Sequence, residues 1–447
     1  MNKEINKKIA FLFLYGHETK TFLRSGLYNF FANNLEAICL KRDFKSNFFN
    51  EYKKEYNLDV HILDKNLFLK ERPFTEKLLI SSRKSRRRIK KIGNYYHFST
   101  DKKASLKDYV VGNFFSYHLI NNFYKKFIKK KYFNKQLASY FIKNKITDLI
   151  IPDYSSIESI ILSLTAKKIG IKTWLIVNSW KDFYVNDLIL SDVNGIFVWN
   201  KKMKEQIQDA NNISSSQICI SGNPYFDIFY NYKPFYSKNY YNTKYNINNR
   251  PIILYTMMSP YSYKNEIEII KYISEMLNEL FKNINNRPKI IVRKNPMDER
   301  KLSNFELDEN IIFAEDYFEK YDKNENFFIQ RIEGEKEWLD LLYYADININ
   351  VASTVTLESL LMNTPVINIE FNEYGKQDEY LSRFSQTDFY KPLLNNNGVF
   401  LAKNREIFKQ QLINVLKNKP KIDTLEQIIG NFGNIKSIII EKILKGI

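Results

Sequence analysis

Residues 346–370 read DININVASTVTLESLLMNTPVINIE and contain a complete βαβ pattern. The spacing of apolar residues predicts a buried strand, a loop of small residues, a helix and a second strand, over 347–351, 352–354, 356–362 and 366–369. Asn363 and Pro365 end the helix, because asparagine tolerates the left-handed backbone and proline cannot continue a helical ladder. A unit of this length closes only as a right-handed parallel crossover, which predicts a parallel α/β sheet.

The loop of small residues is the first candidate binding site. It follows a strand and precedes a helix, where open α/β sheets bind ligands because unpaired N–H groups and the helix dipole favour phosphate. Ser353 and Thr354 lie in this loop, and Thr356 and Glu358 follow in the first helical turn. A carboxylate at position 358 is placed to accept hydrogen bonds from a ribose. The alternative is that Ser353 only caps the helix and that Glu358 is a solvated first-turn acid.

The segments STVTLES (353–359) and NTPVI (363–367) resemble the donor-binding element of GT-B glycosyltransferases of bacterial surface-carbohydrate synthesis. The CDP-glycerol glycerophosphotransferase-like group belongs to these relatives. The resemblance implies an α/β fold with two Rossmann-like domains that face each other across a cleft. It also implies that the small-residue loop holds the nucleotide diphosphate and that the glutamate faces the ribose.

Length and composition limit the possible classes of protein. A chain of 447 residues favours two domains, and 44% hydrophobic with 15% aromatic residues excludes general disorder. The formal net charge of +18 favours anionic partners: nucleotide diphosphates, nucleic acid or an anionic membrane face. Cys39 and Cys219 are far apart and neither has a CxxC partner, so the sequence predicts no disulfide framework, no metal site and a reducing, cytoplasmic location.

Two basic segments, 83–91 and 124–135, suggest a further partner. They are interpreted either as solvated helix faces or as surfaces attracted to anionic lipid, worth about 1 kcal/mol per basic residue. The second interpretation would make the protein peripheral on the inner face of the plasma membrane. No apolar run approaches the roughly 18 residues of a spanning helix. Nucleic acid is not an expected partner, because no helix-turn-helix, RRM, KH or zinc-finger pattern accompanies the charge.

The order of predicted elements gives the domain boundaries. An acceptor-binding domain is expected over 1–228, a linker over 229–250, a nucleotide-sugar-binding domain over 251–420, and over 421–447 a C-terminal helix that can return to the first domain. A capping box from Ser155 to Glu158 is expected to open a helix that ends at about residue 169, and two further helices are predicted over 400–416 and 425–444.

Candidate catalytic residues follow the first predicted strand, 9–15. His17 or Glu18 is the expected base for the acceptor hydroxyl, since an inverting transferase needs a base there and the pKa of imidazole suits neutral pH. The alternative is a polar turn in which His17 caps a helix. Arg24 is expected to meet an acceptor anion. Trp180, the second candidate for acceptor binding, lies in NSWKD (178–182). This segment is similar to a Ser-Trp-Asp-Asn stretch in the relatives, although Lys181 departs from it. The alternative is that Trp180 is a core tryptophan.

Further donor-binding candidates come from turns after predicted strands. Gly222 and Asn223 begin a Gly-Asn-Pro turn, which marks the end of the acceptor domain in GT-B families, and Ser259 follows strand 252–256. Arg293 and Lys294 follow strand 289–292, where many relatives carry a basic residue before His-Pro; this chain has asparagine in place of that histidine. The two cations are expected to neutralise the diphosphate, and the alternative is an exposed basic turn.

The favoured hypothesis is a metal-independent glycosyltransferase that moves a sugar from a nucleotide-sugar to a surface glycan or lipid-linked acceptor. The nucleotide-sugar is a substrate, and no cofactor is expected. One alternative is a GT-B-fold glycerophosphotransferase or nucleotide-sugar 2-epimerase. The other, from the net charge, is a non-enzymatic protein that binds nucleic acid or a membrane.

Overall fold

The chain folds into two compact units, one formed by Met1–Ile228 with Glu426–Ile447 and the other by Phe229–Leu425. The computed structural model describes residues 7–446 except 17, 44–45, 69–71, 73–75, 78–79, 86–104, 107–108, 111–131, 186–187, 212, 261, 299, 301–307, 316 and 323–326. Each unit is built on one parallel sheet.

The first unit contains a seven-stranded sheet in the order β3-β2-β1-β4-β5-β6-β7, with every neighbouring pair parallel. Its strands are β1 (Lys8–Phe13), β2 (Glu36–Arg42), β3 (Val60–Leu63), β4 (Asp148–Ile151), β5 (Lys172–Ile176), β6 (Gly195–Val198) and β7 (Ile218–Ile220). Strands β1 and β4 are almost continuously buried apolar runs, as expected for a parallel sheet covered on both faces. The strand order reverses between β1 and β4.

Helices cover this sheet. A π-helical turn spans Thr19–Arg24, and the α-helices described among the first 228 residues include α1 (Leu27–Asn34), α2 (Asn47–Glu55), α3 (Lys135–Lys143), α4 (Ile157–Lys168), α5 (Asp182–Val185) and α6 (Lys201–Asn211). The expected capping box at Ser155 is wrong by one residue. The Ser156 hydroxyl caps α4 by accepting the Ser159 N–H at 3.1 Å, while the Asp153 carboxylate accepts the N–H groups of Ser155 and Ser156.

The second unit contains a six-stranded parallel sheet in the order β10-β9-β8-β13-β14-β15 and a separate antiparallel ribbon of β11 and β12. The strands are β8 (Ile252–Thr256), β9 (Lys289–Arg293), β10 (Ile311–Phe313), β11 (Phe318–Asp322), β12 (Phe327–Gln330), β13 (Ile347–Asn350), β14 (Val366–Ile369) and β15 (Val399–Ala402). The order reverses between β8 and β13, which is the doubly wound pattern of nucleotide-binding sheets. The predicted class, α/β with two Rossmann-like domains, is confirmed.

Among the described residues of the second unit, the α-helices are α7 (Lys238–Lys244), α8 (Glu266–Leu280), α9 (Ile332–Tyr344), α10 (Thr354–Leu361), α11 (Glu379–Ser385) and α12 (Arg405–Lys417). The apolar faces of α8 and α12 pack against the strands in one buried core. Helix α9 leads into β13, and α10 connects β13 to β14. These connections place the amino end of α10 beside the carboxyl end of β13.

Residues 229–250, expected as a linker, lie within the second unit and include α7. The buried carboxylate of Asp340 on α9 holds this segment. It accepts hydrogen bonds from the hydroxyls of Tyr232 (2.6 Å) and Tyr241 (2.9 Å) and from the backbone N–H groups of Phe235 (2.9 Å) and Tyr236 (2.8 Å). A contact with a residue some hundred positions later leaves no local pattern in the sequence.

The helix expected over 400–416 begins later than predicted. Residues 399–402 form β15 beside β14, and α12 starts after Asn404, whose side chain accepts the Ile407 N–H at 2.9 Å. The apolar run VFL fits a strand as well as a helix, and pairing with β14 decides between them.

The C-terminal segment belongs to the first unit, where α13 (Glu426–Ile429) and α14 (Ile435–Lys445) replace the single helix expected over 425–444. Gly430 and Gly433, both with positive φ, separate the two helices. The Asp227 carboxylate accepts the N–H groups of Gly433 (3.0 Å), Ile435 (3.2 Å) and Lys436 (2.7 Å), and therefore caps α14 from a distant part of the chain.

Candidate functional site

The strand-order reversal in the second sheet defines the candidate site. Thr256 at the end of β8 is in register with Arg293 of β9 on one side and with Asn350 of β13 on the other. The loops that follow these strands therefore leave the same edge of the sheet. Two strand spacings separate β9 from β13, a distance of about 10 Å. Crevices of this kind bind ligands in open α/β sheets.

Ser353 lies at the N-cap position of α10, but its side chain makes no capping hydrogen bond. The residue is partly exposed, and Thr354 beside it is exposed. The alternative that Ser353 only caps its helix is therefore not what the structure shows. A hydroxyl at the amino end of an eight-residue helix, where the dipole favours anions, suits a phosphate oxygen.

Glu358 and Arg293 both contact one tryptophan. The indole Nε1 of Trp338 donates to Glu358 Oε2 at 2.8 Å, and the Arg293 guanidinium carbon lies 3.8 Å from the centroid of the Trp338 ring. Trp338 is 2% exposed and Glu358 is 6% exposed, so this carboxylate is not a solvated first-turn acid. Glu358 Oε1 accepts no hydrogen bond from the residues that the structure describes. Sequence reasoning missed Trp338, although it lies on the buried face of the helix before β13.

Thr356 does not face an open site, which corrects its expected role in donor binding. It is fully buried, and its hydroxyl lies within hydrogen-bond distance of Asn350 Oδ1 (3.3 Å), Asn368 Nδ2 (3.3 Å) and the Tyr390 hydroxyl (2.7 Å). This network joins α10 to β13, β14 and Tyr390. Thr356 thus fixes the helix that carries Ser353 and Glu358.

Two other predicted donor residues, Ser259 and Lys294, follow strands at the same edge. Ser259 follows β8 and is partly exposed, and Lys294 follows β9 with its Nζ donating to the Asp298 carbonyl at 3.3 Å. Thr256, which has no distinguishing pattern in the sequence, is 7% exposed, and its hydroxyl has no hydrogen-bond partner among the described residues. A buried hydroxyl without a partner is costly, and a ligand donor or acceptor would satisfy it.

Glu266, in the first turn of α8, holds the loop that follows β8. Its buried carboxylate accepts the Met258 N–H at 3.0 Å and the Tyr255 hydroxyl at 3.0 Å. Burial raises the pKa of Glu266 to about 8, although both hydrogen bonds oppose the shift by favouring the carboxylate. A first-turn acid on a predicted helix is an ordinary sequence feature, and only its burial distinguishes this one.

The expected catalytic residues of the first unit do not form a site that the structure describes. His17 lies outside the described residues. Glu18 is fully buried, and its carboxylate accepts the backbone N–H groups of Leu14 (3.1 Å) and Tyr15 (2.9 Å). It therefore closes the turn after β1, and this geometry does not support a role as base.

Gly222 and Asn223 serve the first unit itself. Gly222 has φ +94° and forms an antiparallel bridge with Gly430, and a Cβ on Gly222 would overlap the Ile429 carbonyl oxygen. The Asn223 amide donates to the carbonyls of Val177 (3.3 Å) and Asn178 (3.2 Å). Glycine is needed at position 222 because the backbone of residues 429–430 packs closely against it. This contact within the first unit corrects the expectation that Gly222 binds the donor.

The two expected acceptor contacts are engaged or buried. Trp180 is 3% exposed, which fits the alternative of a core tryptophan. Arg24 donates to the Tyr52 hydroxyl at 3.3 Å and lies over the same ring at 5.7 Å.

The expected membrane surfaces are mostly outside the described residues, because 86–91 and 124–131 are not described. In the part of the chain that is described, no helix is both long and apolar enough to cross a membrane. Over the same residues, no group of three or more His, Cys, Asp or Glu side chains is placed to hold a metal ion.

No protein-family model matches this sequence, and a search of curated proteins finds no match. Solved structures do match it along nearly its whole length. The UDP-GlcNAc 2-epimerase of Methanocaldococcus jannaschii has a TM-score of 0.57 at 13% identity, with 98% of this chain and 99% of that chain covered. The chain has a GT-B-like fold.

Two further epimerase structures support this fold assignment. The UDP-GlcNAc 2-epimerase of Neisseria meningitidis, bound to UDP-GlcNAc, has a TM-score of 0.54 at 13% identity and covers 98% of this chain and 100% of its own. The UDP-N-acetylglucosamine 2-epimerase of Rickettsia bellii has a TM-score of 0.51 at 12% identity, with 98% and 96% covered. At such identities the likeness establishes the GT-B-like fold alone. It does not support the more specific resemblance to the CDP-glycerol glycerophosphotransferase-like group.

Proposed function

We propose that the second unit binds a nucleoside diphosphate sugar at the strand-order reversal between β8 and β13. The observation that carries the proposal is that one sheet edge combines a helix amino end bearing Ser353, a cation at Arg293 and a buried carboxylate at Glu358. The helix end and the cation suit a diphosphate, and the carboxylate suits hydroxyls of the ribose.

For the reaction, we propose inversion at C2 of a UDP-linked sugar. The fold matches support this choice, because the three structures described above are UDP-GlcNAc 2-epimerases. Glycosyl transfer to a surface glycan or a lipid-linked acceptor remains the alternative reaction for the same bound donor. It is less favoured because Glu18, one of the two expected bases, is engaged in closing a turn.

The test is a product assay with full-length protein and UDP-GlcNAc, followed by proton NMR of the sugar C1 and C2 signals. The expected result is conversion to the C2 epimer without any added acceptor and without release of UDP. Release of UDP only when a glycan or lipid-linked acceptor is added would favour glycosyl transfer. Absence of both products, with no binding of UDP, would contradict the proposed function.

A further inference from the structure

Trp338 is the contact that joins the two charged groups of the proposed site. Its ring lies against the Arg293 guanidinium at 3.8 Å, and its Nε1 donates to Glu358 at 2.8 Å. Arg293 ends β9 and Glu358 lies on α10, so the two groups come from elements that are not sequence neighbours. One buried side chain therefore contacts both charged groups, and the centroid of the Phe318 ring lies 5.2 Å from the same guanidinium carbon.

Each contact restricts what the charged group can do. An arginine stacked on an indole has one face of its guanidinium covered, and its N–H donors then point along the edges of the plane. In the carboxylate of Glu358, Oε2 is already bonded to the indole N–H, which leaves Oε1 for a ligand. A fixed carboxylate with one available oxygen loses less side-chain entropy on binding than a mobile one.

We propose that Trp338 is a positioning residue for nucleotide recognition, acting through Glu358 on the ribose and through Arg293 on the diphosphate. This inference rests on the proposed function. It predicts that the two actions can be separated, because phenylalanine at position 338 keeps a ring for the cation but has no N–H for the carboxylate. Leucine would remove both.

The structure supplies a matched control in the first unit. Trp174 is 1% exposed, and its Nε1 donates to Asp148 Oδ1 at 2.8 Å, which is the same kind of bond at the same length and burial. Replacing either tryptophan by phenylalanine removes one indole–carboxylate hydrogen bond. Effects on folding should therefore be comparable for the two variants, and effects on nucleotide recognition should appear only for Trp338.

The experiment is calorimetric titration of the full chain with UDP, 2′,3′-dideoxy-UDP and UMP. The ratio of the Kd values for dideoxy-UDP and UDP measures recognition of the ribose, and the ratio for UMP and UDP measures recognition of the second phosphate. Trp338→Phe should lower the ribose ratio by about fivefold, the equivalent of one hydrogen bond, and leave the phosphate ratio unchanged. Trp338→Leu should lower both ratios, and Trp174→Phe should lower neither.

A double-mutant cycle with Glu358→Gln shows whether Trp338 acts through Glu358. The ribose ratio of the double variant Trp338→Phe, Glu358→Gln should equal that of Glu358→Gln alone. The inference would be overturned if the two substitutions lowered the ribose ratio additively in the double variant, or if Trp338→Phe left the ribose ratio unchanged. In either case, UDP binding by the wild type would still uphold the proposed function. A wild type that binds no UDP contradicts the proposed function itself. Trp338→Tyr gives the same test if the phenylalanine variant does not fold.

Discussion

Replacement of Gly222 by alanine tests whether this glycine serves the fold or the ligand. Gly222 has φ +94°, and its Cβ would overlap the Ile429 carbonyl oxygen and the Ile435 side chain. Gly170 is the matched control, because it has φ +83° but nothing lies within 4 Å of its Cβ position. Both variants carry the backbone strain, and only the first carries the overlap.

The magnitudes follow from these two terms. A non-glycine residue in the left-handed region costs about 1–2 kcal/mol, which is the expected loss for Gly170→Ala. Displacing the 429–435 segment adds the cost of an overpacked contact, about 1–3 kcal/mol more. The free energy of unfolding of the first unit should therefore fall by about 2–5 kcal/mol in Gly222→Ala.

Intrinsic fluorescence can follow the first unit alone. The chain has four tryptophans, and Trp338 is the one in the second unit. Urea unfolding in a Trp338→Phe background therefore reports on the first unit, which avoids treating two units as one transition. Equal losses in Gly222→Ala and Gly170→Ala would refute the close-approach argument. UDP affinity is measured in proteins that keep Trp338. A tenfold loss of affinity in folded Gly222→Ala would support the expectation that Gly222 binds the donor.

Two further predictions concern buried carboxylates of the second unit. The raised pKa of Glu266, about 8, means that the folded state keeps a proton that the unfolded chain releases near pH 4.5. The stability from this group is therefore complete below about pH 4.5 and is lost as pH rises to about 8, by at most ~1.4 kcal/mol per pH unit. Glu266→Gln should remove this slope in thermal unfolding across pH 5–8, and an unchanged slope would contradict it. Asp340→Asn should destabilise the second unit by about 2–5 kcal/mol, because an amide cannot accept all four of the hydrogen bonds that the carboxylate receives and each buried donor left without an acceptor costs about 1–3 kcal/mol. Limited proteolysis should then cut within 229–250, and resistance like that of the wild type would argue against the anchor.

The sequence predicted the repeated βα units well because their strands are continuous apolar runs. The strand 36–42 was missed because EAICLKR begins and ends with charged residues, and its burial comes from pairing between β1 and β3. The apolar residues of β15 predict a helix when read alone, and pairing with β14 makes them a strand. Tertiary pairing decided both cases, and the local pattern did not contain it.

The candidate site was predicted in part. Ser353, Arg293 and Glu358 were placed by one rule, that ligands meet the carboxyl ends of parallel strands, and all three lie at that edge. The same rule could not show that Thr356 points into a buried network or that Trp338 joins Arg293 to Glu358. Those contacts depend on which face of each helix meets the sheet. Their partners lie far apart in the sequence, so no regular spacing of residues reveals them.

The most direct test of the central claim is calorimetric titration of UDP into the wild type, Glu358→Gln and Glu379→Gln. Glu379 is the matched control, because its side chain is 90% exposed. We expect the wild type to bind UDP, Glu358→Gln to lose about tenfold or more in affinity, and Glu379→Gln to bind as the wild type does. Equal affinities in all three proteins would contradict the assignment of the nucleotide to this edge of the second sheet.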